Sequence, residues 1–333
     1  MMEKQRDLTF DYAKGIGTLL VYLAHSILYH PIQMMNMYDW CRTTHYAITS
    51  FLMPFFFFVS GMLFAFSRKS NIQVVKDKTL RLLIPYVTAM VIAVLFKLML
   101  PSSMSHKTEF EGGNAFLDVM VYGGTRWFVH LLMIVFVVSL PLRKIAKTPW
   151  VFALAAASFA IALLFAMPAA FQLDKLWKHL PYFLLGLYCN QWLHLMRKVK
   201  AWHLVLLTAA FAVCNIVFLF PIRSIPVLKW AFLPTVGIAL FMSVSIWMNR
   251  LATEHGASDN IVMRYIAYMG KYSLQFYLFT FAYPVIRVIV VNVWHVTNPI
   301  AIVALVMVLQ LLVMTPLVEI TRRIRFFKIP MGY

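Results

Sequence analysis

In the stretch DYAKGIGTLLVYLAH (residues 11–25), two side chains able to do chemistry sit in an otherwise apolar run. Lys14 carries a cation and His25 an imidazole, a side chain that unperturbed titrates near neutrality. Eleven residues make almost three helical turns, so both lie on one face, about 16 Å apart along the axis. A cation at one end suits an anionic ligand, and an imidazole at the other suits proton transfer. Simpler readings exist for each. Asp11, three residues before Lys14, is placed to pair with it and pin the helix end, and His25 could be a neutral core histidine bonded to a carbonyl.

A second basic pair stands in VKDKTLRLLIPY, where Lys78 and Arg81 lie one turn apart just before Pro85. Alone they read as flanking charges of a membrane helix, but with Lys14 they could make a phosphate site at the same end. Lys97 and Arg287 also fall inside apolar runs. Lys97 lies near a helix end, where it can snorkel. Arg287 lies deeper and is without a role. No G-x-x-x-x-G-K-S/T, H-E-x-x-H or G-x-S-x-G occurs, the glycines form no dinucleotide fingerprint, and Cys41, Cys189 and Cys214 have no metal or redox spacing. No metal is implied.

The elements that must position these groups are membrane helices. The chain of 333 residues is 62% hydrophobic and 13% charged, against about 25% charged in a soluble domain, and its mean hydropathy is +0.77. Lys4 and Arg6 before an apolar run imitate a signal peptide, but the run continues through Tyr29 without a small-residue exit, so it reads as the first span. The apolar stretches predict an all-α polytopic bundle of about ten transmembrane helices at 9–29, 46–66, 80–100, 127–142, 150–168, 178–195, 202–220, 228–248, 271–294 and 299–320. With the N-terminus inside, twenty of the thirty basic residues fall on the inner side. Seven (Arg42, Lys107, Arg126, Lys175, Lys178, Arg223 and Lys229) fall outside. Both termini are therefore expected to be cytoplasmic. The net charge of +18 then reads as orientation and contact with anionic lipid, and requires no nucleic acid. Residues 1–333 read as one domain with no appended soluble domain; the one sizeable outer loop, 101–126, is polar and glycine-containing.

Four stretches resemble the acyltransferase-3 type of membrane acyltransferase, close to stand-alone O-acetylases of bacterial surface polysaccharides. DYAKGIGTLLVYLAH fits a basic-x10-His element with Lys14 and His25 in the key places, and FLMPFFFFVSGMLF (51–64) fits aromatics leading to Ser60-Gly61. KDKTLRLLIPY fits a K-x-x-R motif at Lys78 and Arg81, and RWFVHLL (126–132) fits the tryptophan, Trp127, that opens the fourth span. One departure stands in GKYSLQFYLFT (270–280), which ends in Thr280 where such segments often have histidine. His130, His45 and His30 are candidate substitutes.

The resemblance implies a bacterial cytoplasmic (inner) membrane enzyme taking acetyl-coenzyme A, or another short acyl-coenzyme A, as co-substrate. Its phosphates would sit at Lys14, Lys78 and Arg81, and its pantetheine arm would thread up the bundle to His25. His25 would be the general base for a hydroxyl of a polysaccharide or lipid-linked sugar, with acyl-histidine chemistry as the variant. Trp127, Arg126, Ser60 and His130 are the candidate acceptor contacts. Asp11 and Glu319 are supporting, with Glu319 expected to pair with Arg322 or Arg323. The bilayer is the other partner, and self-association is left open. The rival reading is a transporter or flippase for an amphipathic or anionic envelope substrate, disfavoured by the scarcity of buried acids and of inverted halves.

Overall fold

The computed structural model describes residues 7–27, 34–99, 121–122, 124–219, 228–254 and 260–333. Lys4, Arg6, His30, Lys107, Arg223 and most of the 101–126 loop lie outside the described residues, as does the side chain of Lys97. Among the described residues every regular element is helical. The principal helices are α1 (Thr9–Ile27), α2 (Asp39–Ala65), α3 (Asn71–Lys78), α4 (Ile84–Met99), α5 (Trp127–Leu142), α6 (Trp150–Leu164) and α7 (Leu173–Cys189). They continue as α8 (Ala201–Leu219), α9 (Leu233–Glu254), α10 (Ile261–Lys271), α11 (Ser273–Leu278), α12 (Tyr283–Val288) and α13 (Pro299–Arg323).

Among the described residues, each of the ten apolar stretches is mostly helical, in one piece or several. Among the described residues three helices, Asp39–Ala65, Lys229–Glu254 and Pro299–Arg323, are long and apolar enough to cross a membrane. Shorter apolar helices, among them Trp127–Leu142 and Trp150–Leu164, stand beside them. Sequence reading placed α2 too late and took the segment before residue 271 as loop. There Asn260 caps α10, its side chain accepting from the Val262 and Met263 amides at 2.9 and 3.3 Å.

Two close crossings set the architecture, and both depend on glycine. Gly61 of α2 and Gly186 of α7 face each other's backbones. A Cβ at Gly61 would lie 2.0 Å from the Phe183 carbonyl oxygen, and one at Gly186 2.1 Å from that of Phe58. Gly15 of α1 and Gly270 of α10 meet likewise against the carbonyls of Ile266 and Asp11. Apolar side chains gain little by leaving lipid for protein, so such small-residue contacts supply the packing that holds membrane helices together. Gly61→Ala is accordingly expected to destabilise the fold by about 1–3 kcal/mol, read as a lowered melting temperature of the detergent-solubilised protein.

The core falls into two clusters. One gathers phenylalanines of α2, α5 and α7, including Phe55, Phe57, Phe136 and Phe183. The other gathers Tyr22 and Ile27 of α1 with Met269, Phe276, Val306 and Met314. Leu20, Met53 and Phe56 pack against both, so the seam between them runs along α1 and α2.

Two irregularities serve the site. Pro85 has no N–H for the Arg81 carbonyl and its ring crowds that carbonyl, and the chain opens into a π turn over Thr79–Leu83. The ninth apolar stretch is broken into α11, a 3-10 turn at Phe279–Ala282, α12 and a π turn at Ile289–Val293. Broken backbone at membrane depth is tolerated only where its carbonyls find partners. Arg126 donates from Nε and Nη2 to the Leu278 carbonyl at 3.3 and 3.1 Å, and the Tyr22 hydroxyl donates to that of Phe276 at 3.0 Å.

Candidate functional site

The face of α1 predicted from spacing exists as a row. Lys14, Thr18 and Val21 line one cavity, and Val21, Ala24 and His25 line another further along the same helix. These are the Lys14 cavity, of about 450 Å³, and the His25 cavity, of about 710 Å³. Val21 and Met53 belong to both walls. The cavities therefore meet back to back at the seam between the two core clusters.

The Lys14 cavity is basic. Lys14, Lys78 and Arg81 come together there as the spacing predicts, and Lys69 and Lys271 join them. Asp77 is the carboxylate of the lining among the described residues, and it is already in an ion pair with Lys69. Lys14 pairs with Asp11 at 3.2 Å, so the expected Asp–Lys pair forms without removing Lys14 from the wall. The Lys78 ammonium lies 3.7 Å from the centre of the Phe136 ring. Burial there, with Arg81 alongside, pulls Lys78 down to about 8. Ser60 opens into this cavity and not into the one that holds His25. Sequence reading missed Lys271 because it treated the charge as flanking; its neighbour Gly270, which lets α10 approach α1, was the available signal.

The His25 cavity holds imidazoles and aromatics. The His25 Nδ1 lies 2.8 Å from the Val21 carbonyl oxygen. A carbonyl only accepts, so Nδ1 carries the proton and Nε2 is left as the basic nitrogen. Tyr283 packs edge-on against the ring, with centroids 5.6 Å apart. His45 is held in the same manner, its Nδ1 3.2 Å from the Ala24 carbonyl. His179, which sequence reading passed over, lies in the same wall, stacked between Phe57 and Trp127 with ring centroids at 5.0 and 5.8 Å.

The remaining candidates divide. Trp127 lines the His25 cavity. Arg126 is buried on the broken ninth segment and lines neither cavity, because the Leu278 carbonyl claims it. His130 is also in neither wall; it is buried and stacked on Tyr86 with centroids 5.7 Å apart. Thr280 turns back to the Tyr277 carbonyl at 2.7 Å. Glu319 accepts from the Tyr268 hydroxyl at 2.7 Å and meets Arg322 at 2.5 Å and Arg323 at 3.6 Å, the pairing role expected of it. Arg287, fully buried, donates to the Ser26 carbonyl at 2.9 Å and so anchors the last turn of α1, next to His25.

Comparison with known proteins places the chain in a family. The family model described as an acyltransferase domain matches residues 7–319, and the chain belongs to that family. Membership in this family agrees with the resemblance carried by the four sequence stretches. A curated relative is the nodulation protein NolL of Mesorhizobium japonicum, 30% identical over 186 residues, covering 54% of this chain and 47% of that protein. The match thus spans about half the length of that relative. No solved structure matches the chain.

Proposed function

We propose that the protein moves a short acyl group, acetyl foremost, from cytoplasmic acyl-coenzyme A to a hydroxyl of a surface polysaccharide or lipid-linked sugar, across a bacterial cytoplasmic membrane. The observation that carries the reading is the α1 face, along which a basic cavity and an imidazole-bearing cavity meet at Val21 and Met53. Ten spans with both ends inside put the Lys14 cavity toward the cytoplasm, in keeping with the distribution of basic residues.

The donor's phosphates lie among Lys14, Lys78 and Arg81, with Lys69 and Lys271 at hand. Its pantetheine arm passes Val21 and Met53 to present the thioester to His25. His25 Nε2 takes the proton of the acceptor hydroxyl as its oxygen bonds to the thioester carbonyl carbon. The tetrahedral oxyanion collapses, the C–S bond breaks, and the leaving thiolate takes the proton back from the imidazolium. The ester and free coenzyme A result, and the histidine is restored.

Binding of radiolabelled acetyl-coenzyme A to protein in nanodiscs tests the donor site. Lys14→Ala and Arg81→Ala are each expected to weaken it about tenfold, as loss of a charged hydrogen-bonding group does. Lys78 is cationic below its value of about 8. Donor affinity should therefore hold through neutrality and fall as pH rises past about 8, and Lys78→Met should abolish that break. Well-folded wild type with no saturable binding would sink the donor assignment.

A further inference from the structure

We propose that the acceptor held in the His25 cavity is an anionic saccharide, bound through its carboxylate or phosphate by Lys175, Lys178 and Lys229. This deepens the acyl-transfer reading and rests on it.

The argument starts from charges standing where a membrane protein tends not to put them. Lysine and arginine favour the cytoplasmic side, so basic residues at the opposite end call for a local reason. Three of the described ones have it. Arg42 is paired with Asp39, Arg126 is bonded to the Leu278 carbonyl, and Arg287 to that of Ser26. Lys175, Lys178 and Lys229 differ: all three line the His25 cavity. The contacts of Lys175 and Lys178 are with neutral groups. Lys175 donates to the Gln172 side chain at 2.6 Å and lies 5.0 Å from the Trp127 ring centre, and Lys178 lies 4.6 Å from that of Trp230. None of the three meets a carboxylate within ion-pair distance among the described residues.

The rest of the wall sharpens the point. Among the described residues no aspartate or glutamate lines the cavity; Asp174, adjacent to Lys175 in the chain, is not part of it. Neutral sugars present hydroxyl donors that carboxylates would accept, and the described residues of this wall include none. Three cations in a recess with low-dielectric walls focus a positive potential on whatever enters. The indoles of Trp127 and Trp230 add flat apolar faces beside those cations. A saccharide with sugar C–H faces and an attached anion matches both features. It would place its charge on the lysines and a neighbouring hydroxyl toward His25.

The test uses full-length protein in zwitterionic-lipid nanodiscs and three probes. These are tetragalacturonate, its carboxyl-reduced neutral counterpart, and undecaprenyl-diphosphate-linked N-acetylglucosamine, so that carboxylate and phosphate sources are separated. At least one anionic probe should bind about tenfold or more tighter than the neutral one, with the advantage shrinking in salt. The double variant Lys178→Gln/Lys229→Gln should bring that probe to the neutral level, and Lys178→Arg/Lys229→Arg should restore it. Coenzyme A binding, measured on the same samples, should be unchanged and so certify the fold. Equal binding of charged and neutral probes, no binding of either anionic probe, or indifference to the double variant overturns the proposal. If the lysine-dependent preference appears but wild type binds no coenzyme A, the acyl-transfer reading has failed instead, and the cavity is an anion site in another process.

Discussion

His25→Gln is expected to lower acyl transfer by about 10²–10⁴-fold, the usual worth of a positioned general base, while donor binding is retained. Glutamine keeps most of the ring's bulk and can still donate to the Val21 carbonyl that holds His25 at 2.8 Å, so the last turns of α1 should survive. It offers no basic nitrogen, and only the proton transfer is removed. The geometry supplies two comparisons within one cavity. His45 is held by a backbone carbonyl in the same way, and His179 is stacked between rings. If His25 is the base, His45→Gln and His179→Gln should retain much of the rate and keep the pH dependence of transfer, whereas His25→Gln should lose its acid limb. A His25→Gln enzyme with an undiminished rate would remove the assignment. A loss confined to His45→Gln would move the base one helix over, onto α2.

Much of this site is readable from spacing. Lys14 and His25 share a face because eleven residues approximate three turns, and Lys78 and Arg81 fall beside Lys14 because a proline sits four residues beyond Arg81. What spacing does not carry is which neighbour claims a side chain first. Arg126 looked like a ligand of substrate because it adjoins Trp127, yet the break in the ninth segment leaves a carbonyl at Leu278 that takes it. His130 follows the same logic, lying one turn from Trp127 but on the face packed against Tyr86. Conversely, Lys271 and Ser60 reach the basic cavity through glycine-permitted helix crossings, and those depend on pairs of positions far apart in the chain. The apolar stretches were legible as helices because length and composition suffice for that. The cap at Asn260 that begins α10 was legible too, but it lay in a segment whose polarity imitates a loop.

Val21→Trp is expected to cut acyl transfer by about 100-fold or more, a loss of the size that misplacing reacting groups produces, with both ligands still bound. Val21 is 3% exposed and belongs to both cavity walls, and Met53 faces the same junction from α2. If the thioester must pass between these two side chains to reach His25, the rate should depend on the volume at position 21. A series through Ala, Leu, Phe and Trp separates that from mere overpacking, which itself costs about 1–3 kcal/mol. A blocked passage predicts a rate that falls steeply with side-chain size while coenzyme A affinity stays level; general destabilisation predicts that melting temperature and affinity fall together. His25 donates to the backbone carbonyl of residue 21, so the bond persists across the series and the base stays in place. Met53→Trp should reproduce the effect from the α2 side. A rate indifferent to bulk at both positions would mean that the acyl group reaches the acceptor by another route, and the two cavities would then need a different connection than the one their shared wall provides.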